Sequence, residues 1–328
     1  MSFAPEVTVV IPTHARAELL ARAIRSVLKQ TFENFEIVVV LDGEDPATLR
    51  AVERFLDSRI RCVTLDENSG GGSARNAGVA AAQGEWIAFL DDDDEFQPRK
   101  LECQLRAAKC VPANSSLIVC EAIVRSEQGD KIWPGRFPGD GESLCDYLFC
   151  RRSLRQGEAF LQTSTYFVSR ELAMRIPFRT GLARHQDWDW LLRLEVEGQV
   201  RVAAVEKPLT IYYQGGPGPA VSRAGGWQTS LDWGREAVLP RSRRAYSFLI
   251  ATQCVSRFSE GDCWSWKNLL RLARECFIAG RVCWMSAFLF GMFWLRAMLR
   301  SSRGRREKTL TGLRTRRFLQ LSRAKGGV

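Results

Sequence analysis

The sequence predicts an α/β fold, a mainly parallel sheet flanked by helices, followed by a C-terminal helical region. Three observations carry this prediction. Over the first hundred residues, short apolar β-branched runs alternate with stretches of helical spacing. Pro12, Asp42 and a run of four aspartates each stand where such an apolar run ends, and ligands of parallel sheets bind beyond the carboxyl ends of the strands. From residue 227 onward the apolar spacing is mostly helical.

Residues 7–11 form an apolar run stopped by Pro12, the pattern of a buried strand. Leu20, Ile24, Val27 and Leu28 then recur at helical spacing within 17–30. A second strand is predicted over 36–41, a helix over 47–56 and a third strand over 61–65. Another helix follows over 73–82, entered through Gly70-Gly71-Gly72. The fourth strand, 86–90, runs straight into Asp91-Asp92-Asp93-Asp94. Residues 115–215 are less regular, with strands over 117–124 and 200–205 and a helix over 187–197. A loop rich in Gly and Pro is predicted over 131–143. A second such loop, 214–226, reads as a lid or a linker ahead of the helical patterns of 227–299.

A chain of 328 residues has room for two domains, divided here at 1–225 and 226–328. With 45% hydrophobic and 26% charged residues, it is not a disordered, collagen-like or polytopic membrane chain. The net charge of +10 is local. Eleven of the 47 basic and one of the 37 acidic side chains fall in residues 296–328, so residues 1–295 carry 36 of each sign. A neutral body with a cationic tail is unlike a uniformly basic nucleic-acid binder, and no nucleic-acid partner is expected. Ten cysteines without a Cys-x-x-Cys pair, and only His14 and His185, signal neither a zinc site nor a disulfide framework. Reduced thiols in a cytosolic compartment are expected. The first residues hold no basic segment followed by a long apolar core, so a secretory signal is not expected.

Four adjacent carboxylates repel one another and call for a counter-charge. At a strand end on the ligand-binding edge, hard oxygen donors suit Mg²⁺ or Mn²⁺, which also bridge a diphosphate. The alternative is a solvated loop in which Asp94 or Glu95 caps the next helix.

Four strings then stand in order. Ile11-Pro12-Thr13 is followed by Arg16; Gln30-Thr31-Phe32 leads through Glu36 to Val38-Val39-Val40. Ala74-Arg75-Asn76-Ala77-Gly78 and Gly84-Glu85-Trp86-Ile87-Ala88-Phe89-Leu90 precede the aspartates, and His185-Gln186-Asp187-Trp188-Asp189-Trp190 comes last. In this order and spacing the chain resembles a family 2 inverting glycosyltransferase of GT-A fold, over roughly residues 5–215. The resemblance implies a nucleotide-diphosphate sugar donor, with Asp42 on the base, Pro12 and Thr13 lining that pocket, Asp92 on the ribose and Arg75 near the nucleotide. It implies Asp91 and Asp93 as the metal motif for Mn²⁺ or Mg²⁺, with Asp93 the main ligand, and Asp187 as the catalytic base. Inverting transfer needs one carboxylate to accept the proton of the acceptor hydroxyl. It also needs a cation to stabilise the departing diphosphate.

Three departures from the family pattern stand out. Leu41-Asp42 occupies a place where the family often has two acids, and His14-Ala15 replaces an aromatic–asparagine pair. Gln186 replaces the glutamate that usually precedes the base, which removes a like charge and makes Asp187 easier to ionise. His185 reads as a polar rim residue, one of Trp188 and Trp190 as core, and Asp189 as the second candidate base. Arg223 is either a diphosphate clamp or a solvated side chain.

In the C-terminal region a helix is predicted over 276–299, apolar except for Arg281 and Arg296, with the basic tail behind it. Its first twenty residues, 276–295, at ~1.5 Å each reach across a bilayer, but an arginine near its centre costs ~2.5–3.5 kcal/mol. Spanning would also leave the cationic tail on the disfavoured side. An interfacial helix or one packed in a bundle is expected instead, with peripheral attachment to an anionic membrane surface on the cytoplasmic face of the inner membrane. The expected activity is transfer from a UDP-linked sugar to a polysaccharide or lipid-linked acceptor. The alternative is a catalytically silent membrane-associated module that keeps the nucleotide pocket.

Overall fold

In the computed structural model, which describes residues 4–215, 226–260 and 265–299, the chain divides into two units, Met1–Ala224 and Gly225–Val328. Arg223 and all the tail cations except Arg296 lie outside the described residues. In the first unit β1 (Val7–Thr13), α1 (Ala17–Leu28), β2 (Phe35–Leu41), α2 (Pro46–Glu53), β3 (Ile60–Thr64), α3 (Gly71–Ala81) and β4 (Trp86–Phe89) follow the predicted alternation. The strands lie parallel in the order β3-β2-β1-β4, with Val9 opposite Ile37 on one side and Ala88 on the other.

Both faces of this sheet are covered, which is why β1 and β2 are buried at every position. Val7, Val9 and Ile11 pack with Leu20, Ile24 and Val27 of α1. On the other face Val38 and Val40 meet Ala74 of α3. A Cβ at position 78 would lie 2.3 Å from Val10 Cγ1, so Gly78 is what lets α3 approach the strands.

β1 does not stop at Pro12 but continues through Thr13, with Pro12 opposite Val40. Its pairing with β4 ends at Val10, so Pro12 has a strand on one side only, where a missing N–H is tolerated.

The unit continues with β5 (Glu95–Phe96), α4 (Lys100–Ala108), β6 (Ser116–Ser126), β7 (Gly129–Trp133), α5 (Leu144–Phe149), β8 (Phe167–Ser169), α6 (Arg170–Arg175), α7 (Gln186–Glu197) and β9 (Arg201–Tyr213). β8 extends the sheet beyond β4 in antiparallel sense, and β6, β9 and β5 follow. The predicted loop over 131–143 is therefore too long at its start. Residues 131–133 belong to β7, hairpinned on β6 through Gly129 at φ 100°. β7 is largely exposed and has no apolar alternation to betray it. β9 also outruns its predicted end at 205, because a register shift at Cys120–Ala122 of β6 carries the pairing past Pro208.

The second unit holds α8 (Trp227–Ala237), α9 (Arg243–Leu249), α10 (Ser256–Glu260), α11 (Trp266–Arg274) and α12 (residues 284–299). A π-helical stretch, Ile250–Val255, joins α9 to α10, and another, Glu275–Ala279, extends α11. The single helix predicted over 276–299 is thus two. Gly280 turns to ψ −173°, and a Cβ there would stand 2.1 Å from Ser247 Oγ. Arg243 donates to the carbonyls of Ile278 (2.9 Å) and Ala279 (2.8 Å), taking the place of the helical donors that the break removes. Among the described residues no helix is long and apolar enough to cross a membrane.

Gly78→Ala should destabilise the first unit by about 1–3 kcal/mol through overpacking against Val10, read as a lower denaturant midpoint. Adding Val10→Ala should recover part of that loss. If the two losses simply add, the clash lies elsewhere.

Candidate active site

The C-terminal ends of β1, β2 and β4 bring Thr13, Asp42 and the aspartate run to one edge of the sheet. Pro12, buried in β1, holds the adjacent register position. The Asp42 N–H donates to Thr13 O (2.9 Å). Its carboxylate accepts from the backbone N–H groups of Ser69 (2.7 Å) and Gly70 (2.9 Å), and so anchors the turn into α3. His14 Nδ1 lies 2.7 Å from Asp42 O.

The four aspartates have four different environments. Asp91 accepts from Arg75 Nη2 (2.5 Å) and Gln162 Nε2 (2.9 Å), while its N–H donates to Ser164 Oγ (3.0 Å). Asp92 is buried and accepts from Thr13 Oγ1 (2.7 Å) and Arg16 Nη1 (3.1 Å). Burial pushes its carboxyl up to about 6, the Thr13 bond offsetting only part of the effect. Asp93 is the most open, its side chain 43% exposed, with Arg16 Nη1 at 3.3 Å. Burial and the neighbouring Asp91 charge still raise its carboxyl above the ordinary range. Asp94 is fully buried and accepts from Gln162 Nε2 (2.8 Å), Ser164 Oγ (2.6 Å) and the Tyr213 N–H (3.3 Å). It is a structural residue rather than a helix cap, and burial lifts its carboxyl well above the usual value.

α7 is linked to this cluster through Arg75. His185 starts it in left-handed conformation at φ 64°, an unusual position for a residue with a Cβ. Its ring stacks on Trp188, centroids 4.9 Å apart, and burial pulls the imidazole down to about 3. A neutral, buried His185 is no rim residue and carries no charge at physiological pH. Asp187 stands in the first turn of α7 with its carboxyl raised to about 6 by burial, against the opposing pull of the Trp188 N–H and Arg75. Gln186 Oε1 accepts from Arg75 Nη1 (3.2 Å), and its Nε2 donates to Leu182 O (2.7 Å). One guanidinium therefore ties Asp91 to the residue preceding Asp187. Asp189 is buried, with Arg179 Nη1 3.8 Å away. Trp190 is the core member of the tryptophan pair, stacked on Phe178 at 4.4 Å and donating from Nε1 to Ile176 O (2.7 Å).

Sequence reasoning missed Gln162, Ser164 and Tyr213. The available signal was the polar stretch Gln162-Thr163-Ser164-Thr165, wholly buried ahead of an apolar strand. Buried polar side chains need partners, and here two of those partners are aspartates.

Among the described residues no group of three or more His, Cys, Asp or Glu side chains converges as a ready metal cage. Mg²⁺ and Mn²⁺ sites do not require one, since one or two carboxylates with phosphate oxygens and waters suffice. Asp93 supplies an open carboxylate whose charge is disfavoured by Asp91, and a cation beside it relieves that repulsion. The donor set fits a divalent ion completed by a bound diphosphate.

Residues 8–176, just over half of the chain, match Glycosyl transferase family 2. Asp187 lies beyond that match. The chain is 29% identical over 215 residues to the amylovoran biosynthesis glycosyltransferase AmsB of Erwinia amylovora, covering 63% of this chain and 69% of that one. It is 42% identical over 109 residues to the succinoglycan biosynthesis protein ExoO of Rhizobium meliloti (strain 1021), covering 33% of this chain and 31% of that one. It thus spans about two thirds of one relative's length and under a third of the other's. The structure of S. aureus TarS 1–349 in complex with UDP-GlcNAc superposes with a TM-score of 0.53 at 18% identity, covering 89% of this chain and 79% of that chain, which is a likeness of fold. With the match running from β1 through the aspartate run to α6, the chain belongs to glycosyl transferase family 2 and has its GT-A fold.

Proposed function

We propose that the chain transfers a sugar from a nucleotide-diphosphate donor, UDP-linked, to a saccharide or lipid-linked acceptor, with inversion at the anomeric carbon. The observation that carries this reading is the Arg75 bridge. It joins Asp91, which would face the diphosphate, to the helix turn bearing the candidate base. A role in bacterial polysaccharide synthesis is supported by relatives named for amylovoran and succinoglycan biosynthesis. The site of action proposed with it is the cytoplasmic face of the membrane, a reducing compartment in which ten cysteines without a paired pattern persist as thiols.

In this mechanism Asp187 accepts the proton of the acceptor hydroxyl as that oxygen attacks the anomeric carbon. A carboxyl at about 6 is ionised at neutral pH and more basic than a solvated aspartate. Asp91 and Asp93 would hold Mn²⁺ or Mg²⁺, which when bound stabilises the negative charge gathering on the departing diphosphate. Arg75 adds a fixed positive charge beside Asp91. Pro12 and Thr13 line the nucleoside pocket, Asp42 takes the base, and Thr13 holds the Asp92 carboxylate for the ribose hydroxyls. One base and one displacement give inversion.

A panel of sugar nucleotides, screened by thermal shift with and without Mn²⁺, should contain a donor that stabilises the protein by mass action. If no sugar nucleotide shifts the transition under either condition, the proposal fails. Asp187→Asn should keep donor affinity and lower kcat by a factor of ~10²–10⁴. In the unmodified enzyme kcat should fall about tenfold per pH unit as pH drops below about 6, because protonation removes the base. The fall should be absent from the residual activity of the Asn variant; substantial transfer by that variant would move the base elsewhere. Asp93→Ala should leave the fold intact and make donor binding indifferent to Mn²⁺. Wild-type metal dependence in that variant would take the metal away from Asp93.

A further inference from the structure

α12 is apolar on two faces. Met285, Leu289, Phe290 and Ala297 are buried on one side. Trp284, Phe288, Met292, Leu295 and Leu299 recur every three or four residues on the other and are all exposed, Trp284 by 75%. Exposed apolar residues are ordinary when scattered singly, whereas a contiguous line of large ones marks an interaction surface. Trp266 and Leu270 of α11 and Phe277 and Ile278 of its extension are exposed too. The Phe277 ring meets Phe290 edge-on at 5.2 Å, so the surfaces of the two helical segments are joined.

Cations stand beside the exposed apolar residues of α11 and its extension. A groove of about 590 Å³ is lined by Lys267, Arg271 and Arg274 over Leu270 and Ile278. The acid in that groove, Glu275, is already engaged by Arg235 and by Tyr246 Oη (2.6 Å). Residues 300–328, which follow α12 directly, hold ten basic side chains and one acidic one.

We propose that this face rests on an anionic lipid bilayer. The apolar stripe enters the boundary between headgroups and acyl chains, and Lys267, Arg271 and Arg274 meet the lipid phosphates. This reading is independent of the proposed transfer reaction. Two alternatives fit the residues less well. The sixteen described residues of α12 span ~24 Å, short of the ~30 Å hydrocarbon core. A second copy on the same face would set cation against cation, and α12 has no acidic residue to pair with Arg296 across a coiled-coil seam. An apolar face bordered by basic residues, with tryptophans among its exposed members, is the composition of an interfacial helix.

Flotation of the full chain tests this. Vesicles of phosphatidylglycerol mixed equally with phosphatidylcholine should carry the protein, vesicles of phosphatidylcholine alone should carry much less, and added salt should weaken the binding. The combined variant Trp284→Ser, Phe288→Ser, Leu295→Ser should keep the thermal transition, since these side chains are exposed, and lose about tenfold or more in vesicle binding. Should that variant lose stability, quenching of tryptophan fluorescence by brominated phosphatidylglycerol takes its place, and Trp284→Phe should reduce it. The proposal is overturned if the full chain ignores anionic vesicles at low salt. It is equally overturned if the triple variant binds as the wild type does or Trp284→Phe leaves the quenching unchanged, which would leave the basic tail alone responsible. Self-association of the wild type that the triple variant abolishes would assign the face to a second copy instead.

Discussion

The first unit is organised around negative charge that water cannot fully screen. Four carboxylates follow β4, two of them buried, and an uncompensated buried charge costs several kcal/mol. The surrounding elements supply the compensation. Arg16 precedes α1 and reaches Asp92 and Asp93, and Arg22 within α1 donates to Asp93 O (2.5 Å) and approaches Glu95 (3.3 Å). Arg75 comes from α3, on the opposite face of the sheet. Gln162 and Ser164 close the remaining side and bind the one aspartate that no arginine touches among the described contacts. α1, α3 and the turn before β8 thus each contribute a partner to the same acidic cluster.

The same requirement tunes Asp187. Burial raises its carboxyl, but the first turn of a helix presents free N–H groups, and the Trp188 N–H and the Arg75 charge draw the carboxyl back. Arg75 is available for this because Gln186, an amide, accepts one hydrogen bond from it without neutralising it. A glutamate at position 186 would compete with Asp91 for that guanidinium. The departure from the family pattern at 186 is thus a change in how one positive charge is shared.

Where burial on two faces leaves apolar runs, the elements are readable from the residues alone, as β1, β2 and β4 show. The aspartate run and Asp187 stand out as candidates for a different reason: their order and spacing resemble a known family. What stayed hidden was tertiary. β7 is largely exposed, so no hydrophobic period marks it, and the end of β9 depends on a bulge in its partner. Gln162 and Ser164 look like loop residues until the fold buries them beside Asp94. The break at Gly280 escaped notice because an uninterrupted apolar stretch outweighs one glycine, and the capping Arg243 lies 37 residues away in sequence.

The order in which the sheet is assembled differs from the order in which it is synthesised. The parallel core of β1 to β4 is complete within the first ninety residues, yet Asp94 waits for the N–H of Tyr213, 119 positions later, and Glu95 waits for the Tyr213 hydroxyl (2.5 Å). At a translation rate of ~5–20 residues per second, that interval is on the order of ten seconds. During it the emerging chain carries a finished parallel sheet whose acidic end lacks its final strand. Contacts this distant in sequence close late, because the loop entropy must be lost before they form. Until β9 is made, β5 lacks its antiparallel partner, and the arginines of α1 and α3, already synthesised, are the charges at hand for the acidic cluster.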